Sequence, residues 1–152
     1  MKKIILLFAV AAISFSSMAQ SCEERETNLL NTLGGLSAGF MYNTYLSIGS
    51  VSDAYVKEVY TKENTLALLE EQVNLIENIR KMLNELLEKK SLTAADDQRF
   101  VKETMEVMKG LQQQARFFKE YVNTKDNTKA TSYENQRQSN WKNISKLMGL
   151  DE

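Results

Sequence analysis

Between Lys62 and Lys89, apolar residues fall three and four positions apart. Leu66, Leu69, Val73, Ile76, Leu83 and Leu87 keep an a/d spacing, and Leu75, Ile79, Met82 and Leu86 widen the stripe. That period places them on one face of an α-helix. Only Arg80 interrupts the seam. The same period governs the next stretch, where Val101, Met105, Met108, Ala115 and Val122 align with Leu111, Phe118 and Tyr121 beside them. Farther on, Tyr133, Trp141, Ile144 and Met148 share a side, while residues 127–140 are polar enough to predict a frayed start for that helix.

Capping residues divide these periodic stretches. Thr61 stands before Lys62, Glu63 and Asn64 as a helix N-cap. Thr93 and Asp96 make a capping-box-like pair, and Thr131 with Glu134 fits the full Ser/Thr-x-x-Glu box. The predicted helices run from Glu24 to Val59, Lys62 to Lys89, Ala94 to Asn123 and Ser132 to Met148. Proline is absent throughout, so nothing forces a break inside them. Long helices joined by short loops pack most simply as an antiparallel up-and-down four-helix bundle, so the expected fold is all-α and elongated.

The first segment differs from the rest, because no charged residue occurs from Thr27 to Ser52. A membrane span does not fit: Asn28, Asn31, Thr32, Asn43 and Thr44 would each need a partner inside hydrocarbon. The alternative is a helix buried on most of its circumference. Gly35 and Gly39, with Ala38 between them, predict a close helix approach, and Gly49-Ser50 predicts a bend or a fresh start. Aromatic residues gather here too: Phe40, Tyr42, Tyr45, Tyr55 and Tyr60, with Phe117, Phe118 and Tyr121 as possible facing partners. A lining of Phe40, Tyr42, Asn43 and Tyr45 offers apolar walls with a few directed polar groups, which suits a small ligand; plain aromatic core is the alternative.

The N-terminus precedes the fold and must be set aside from it. Lys2 and Lys3, the apolar run from Ile4 to Ile13, and the small and polar residues from Ser14 to Ala19 form the three parts of a secretory signal. Ser17 and Ala19 supply the small residues that signal peptidase requires, so cleavage after Ala19 is expected, leaving one domain from Gln20 to Glu152. A second route is lipoprotein processing at Cys22, followed by the acidic Glu23, Glu24 and Glu26. Either route exports the chain: the first to the periplasm or outside, the second to an outer-membrane tether.

Composition narrows the chemistry. There is no histidine, so serine-histidine, cysteine-histidine and common zinc arrangements cannot be built, nor can the Glu-x-x-His pairs of di-iron bundles. With a single cysteine there is no internal disulfide. Paired carboxylates remain, as Glu70, Glu71 and Glu77 on one helix and Asp96, Asp97 and Glu103 on the next. Acids on the wet face or at the start of a helix are expected on electrostatic grounds alone. No cofactor, metal or catalytic residue is predicted.

Charge is unevenly placed. Gln20 to Gln98 holds 7 basic and 13 acidic residues, whereas Arg99 to Leu150 holds 10 and 5. Acidic and basic helix faces can meet within one fold, or a basic C-terminal surface carrying Lys142 and Lys146 can dock an acidic partner. No basic footprint for nucleic acid appears. Size, export and helical content loosely resemble small periplasmic helical chaperones, but their Leu-Thr-x-x-Gln repeat is not written here: Leu92-Thr93 is followed by Gln98. The expectation is an exported, non-catalytic binding or structural module of the cell envelope, partnered by an envelope protein or by a second copy. Small-molecule binding on the first helix is the alternative.

Overall fold

The computed structural model describes residues 22–150. The signal segment, the cut after Ala19 and the side chain of Cys22 lie outside the described residues. Four helices follow in order: α1 (Cys22–Val56), α2 (Lys62–Glu88), α3 (Ala95–Thr124) and α4 (Asn127–Leu147). The described residues contain no strand. They fall into two units, residues 22–35 and residues 36–150. Everything that follows concerns the second unit unless stated.

Helix ends explain the boundaries. Thr61 caps α2 as expected, its hydroxyl accepting the backbone N–H of Asn64 at 3.2 Å. The start of α4 differs from the prediction. Lys125 adopts a left-handed conformation (φ 59°) and stops α3, and the Asp126 carboxylate then accepts the N–H of Thr128 at 2.8 Å. That cap starts α4 five residues before the Thr131 box, whose hydroxyl instead bonds back to the Asn127 carbonyl inside the helix. α3 starts at Ala95, one residue after the expected Ala94, which is its N-cap and has no side chain able to cap it. Lys90 and Gly149 close α2 and α4 in left-handed positions, with Ser91 N–H returning to Leu86 and Leu150 N–H to Ser145.

Antiparallel packing follows from which residues meet. Lys119 of α3 pairs with Glu70 of α2, and Gln112 donates to Glu77 at 3.0 Å, so α3 descends as α2 rises. Between α3 and α4, Lys129 meets Glu120 at 2.6 Å and the rings of Phe118 and Tyr133 lie 4.8 Å apart. Between α1 and α4, Ser52 meets Tyr133 at 2.6 Å and the Tyr45 and Trp141 rings lie 5.7 Å apart. Tyr55 of α1 meets Phe118 edge-on at 6.0 Å, joining α1 to α3. The core these contacts enclose contains Ile48, Leu69, Ile76, Met108, Leu111, Phe118 and Ile144.

Two expectations change. Burial on α1 is one-sided: Met41, Thr44, Ile48, Val51 and Ser52 are buried, whereas Leu36, Asn43 and Leu46 are exposed. The uncharged composition is accommodated by polar side chains bonding within the helix, as Asn43 does to the Gly39 carbonyl at 2.9 Å. A Cβ at Gly39 would meet nothing within 4 Å, and the same holds at Gly35 in the first unit, so neither glycine admits a close neighbour among the described residues. Gly49-Ser50 does not interrupt the helix; Ser52 bonds back to Gly49 at 2.8 Å. On α2 the seam residues Leu69, Val73, Ile76 and Leu83 are buried, but Leu75 and Met82 of the widened stripe are exposed. No helix among the described residues is long and apolar enough to cross a membrane.

Candidate functional site

Along α3, the residues between Lys102 and Gln113 open outward at intervals of three and four, and those of α4 from Gln136 to Leu147 run back beside them. The two rows bound a groove of about 830 Å³. Counted from the Glu120–Lys129 pair, the antiparallel register brings Lys102 to the level of Lys146, Glu106 to that of Asn143 and Gln113 to that of Gln136, all of them lining residues. Val107, Gly110 and Leu147 give the groove its apolar part. Glu106 pairs with Lys109 on its own helix at 3.6 Å, whereas Lys102 and Lys146 form no ion pair among the described residues.

A buried chain of carboxamides fixes the far end. Asn140 is fully buried, and its Nδ2 donates to Oε1 of the equally buried Gln114 at 2.8 Å. Its Oδ1 accepts Nε2 of Gln136 at 2.9 Å. With that donor engaged, Gln136 has its Oε1 left to accept a hydrogen bond. Gly110 makes the arrangement possible. A Cβ there would collide with Asn140 Oδ1, and would sit 3.2 Å from Gln136 Nε2. Gln114 Nε2 is left without a hydrogen-bond partner.

The polar layer continues to α1. Ser52 gives its only hydroxyl hydrogen to the Gly49 carbonyl, so Tyr133 is the donor to Ser52. Burial raises the Tyr133 pKa above the ordinary phenol value. On the other flank of α3, Gln112 holds the Glu77 carboxyl below its usual range, assisted by Arg80.

The residues singled out from the sequence fall in different places. Lys146 lines the groove, while Lys142 is exposed and outside its lining. Tyr42 and Tyr45 are half-buried and lie against Trp141, with centroids 6.3 and 5.7 Å away. Asn43 is exposed and Phe40 half-buried, and none of these four lines the groove. The carboxylates are spread out: Glu70 is paired to Lys119, Glu77 is bonded to Gln112, Asp96 is paired to Arg99 at 2.9 Å, and Glu103 lines the groove. Among the described residues no three of His, Cys, Asp or Glu are placed to hold a metal ion.

Sequence reasoning missed Gly110, Gln114, Gln136 and Asn140. The available signal was Gly110 itself. An isolated glycine inside an otherwise unbroken helix costs about 1 kcal/mol against alanine, which flags a close approach. No family model, curated protein or solved structure matches the chain.

Proposed function

We propose that the protein is an exported, non-catalytic binding module of the bacterial cell envelope, and that it engages its partner through the α3–α4 groove. Export rests on the basic, apolar and small-residue pattern of residues 2–19. The binding role rests on one observation above others: two lysines without carboxylate partners among the described residues, Lys102 and Lys146, line the same groove as Gln136, whose amide nitrogen is bonded to the buried Asn140. Exposed ammonium groups and a fixed acceptor are recognition chemistry. Catalysis is disfavoured because the chain has no histidine and two of its candidate carboxylates, Glu70 and Glu77, are engaged by Lys119 and Gln112.

The reading extends the expected basic docking face and moves its centre from Lys142 to Lys146 and Lys102. Filling the groove tests it. Asn143→Trp places a large side chain at an exposed lining position. It should leave thermal stability unchanged and abolish retention of the envelope proteins that the wild-type chain captures. Equal retention by wild type and Asn143→Trp would remove the groove from consideration. An intact-mass measurement on protein from its native host tests export: a mass starting at Gln20 marks simple cleavage, one starting at Cys22 with acyl chains a tethered lipoprotein, and an uncleaved chain would refute both.

A further inference from the structure

The outward side of α1 repeats with a coiled-coil period. Leu36, Gly39, Asn43, Leu46 and Ser50 follow one another at steps of three, four, three and four, the spacing of a and d positions in a heptad. None of them belongs to the core. Leu36 is 69% exposed and Leu46 44%, Asn43 and Ser50 are exposed, and a Cβ at Gly39 would meet nothing within 4 Å. The buried residues Met41, Thr44, Ile48 and Val51 form a separate seam of the same spacing. The helix therefore carries two seams, one packed in the bundle and one in water.

Charge indicates what matches the second seam. No acidic or basic residue occurs from Leu36 to Ser52, whereas the exposed sides of the other helices carry them, as Glu71 and Lys81 do on α2, Lys109 and Arg116 on α3 and Lys142 on α4. A charged partner would lose hydration here and gain no ion pair. No other helix has an uncharged run of this length, so the surface of the chain that matches this face is the face itself. Its polar member fits the same pairing. Asn43 Nδ2 donates to the Gly39 carbonyl at 2.9 Å and keeps a second hydrogen, so two such amides set opposite each other can exchange N–H and C=O groups in hydrogen bonds. A single asparagine at an a position fixes register and strand number in coiled coils.

We propose that two copies of the chain associate through this face of α1, parallel and in register, with Leu36, Asn43 and Leu46 each meeting its own counterpart. Gly39 lets the two helices approach between the leucine layers. The inference goes beyond the α3–α4 groove and does not depend on it. From Leu36 to Ser50 the helix rises about 21 Å, a short seam, so the dimer is weak and concentration-dependent.

Sedimentation equilibrium of the chain from Gln20 to Glu152, in reductant, should show monomer and dimer exchanging over about 10 µM to 1 mM. Leu36→Glu with Leu46→Glu sets like charges opposite each other and should weaken the dimer by about tenfold or more. Leu75→Glu with Met82→Glu, the same change at exposed apolar positions of α2, should leave it within about twofold, as should Asn143→Trp in the groove. Circular dichroism melting identifies a variant that fails to fold, in which case Leu36→Gln with Leu46→Gln takes its place. Leu46→Cys in a Cys22→Ser background, oxidised with copper phenanthroline, should give a disulfide-linked dimer, and Met82→Cys should not. A wild type that stays monomeric at about 1 mM would overturn the proposal. So would an undiminished dimer in the Leu36 and Leu46 variant, or an equal loss in the Leu75 and Met82 variant, which would mark general apolar adhesion. A dimer that Leu46→Cys fails to cross-link would overturn the parallel register.

Discussion

The Oδ1 of Asn140 rests on the α-carbon of Gly110, in the space where any other residue would place its Cβ. Helix α4 therefore approaches α3 closely at this point, and an asparagine that is fully buried finds both its partners there. Gly110→Ala sets two effects against each other. Alanine gains about 1 kcal/mol of helix propensity over glycine, but overpacking a filled site costs about 1–3 kcal/mol. Packing should win, because the obstructing atom belongs to a side chain held at both ends. A net destabilisation of up to about 2 kcal/mol is expected from urea unfolding. Gly39→Ala is the control: nothing lies within 4 Å of its Cβ, so it should stabilise by up to about 1 kcal/mol.

Gln114 and Asn140 should behave as a unit. Gln114→Leu strands the Asn140 amide in a buried site, at a cost of about 1–3 kcal/mol. Replacing both by leucine removes the stranded group, along with the unpartnered Gln114 Nε2. The double variant should then be more stable than Gln114→Leu alone. A double-mutant cycle measures the coupling, and strict additivity would show that the two carboxamides do not depend on each other.

Tyr133 links the fold to alkaline pH. Its pKa is raised by burial, so above about pH 10, the ordinary phenol value, the unfolded chain releases a proton that the folded chain retains. The folded state then binds more protons, and stability should fall as pH rises through that range. Tyr133→Phe should flatten the decline that sets in above about pH 10. A slope unchanged by the substitution would assign the alkaline transition to other groups.

Lys90 closes α2 at φ 52°, a conformation that costs an L-residue about 1–2 kcal/mol. Glycine adopts it freely but gives up about 0.5–1 kcal/mol of chain entropy. Lys90→Gly should therefore raise stability by up to about 1 kcal/mol, read as a higher melting temperature. The equivalent change at Lys125 should gain less, because the Lys125 ammonium lies 4.2 Å from the Tyr55 ring centroid, a contact glycine would forfeit.

Much of the fold was legible from the chain because hydrophobic period and capping chemistry are local. The a/d seam from Leu69 to Leu83 is buried as its spacing predicted, and Thr61 caps where its neighbours placed it. The start of α4 was not legible, since Thr131 offered a better box than Asp126. The choice was made by Lys125 turning left-handed and presenting Asp126 to the Thr128 amide. The candidate site was less legible still. Gln112, Gln113 and Gln114 are identical in sequence, yet the first and last are buried and the middle one lines the groove.

By itself, then, the sequence determined the number of helices, the core seam of α2 and the exclusion of histidine chemistry. Those follow from residue type and spacing along one chain. The tertiary structure alone decided which glutamines are buried, that Gly110 makes room for Asn140, and that Lys146 lines a groove with Lys102 while Lys142 lies outside it. A polar side chain reads the same on a wet face and in a core. Its role depends on the donor or acceptor that an opposing helix brings to it, and that partner is set by packing between segments distant in the chain.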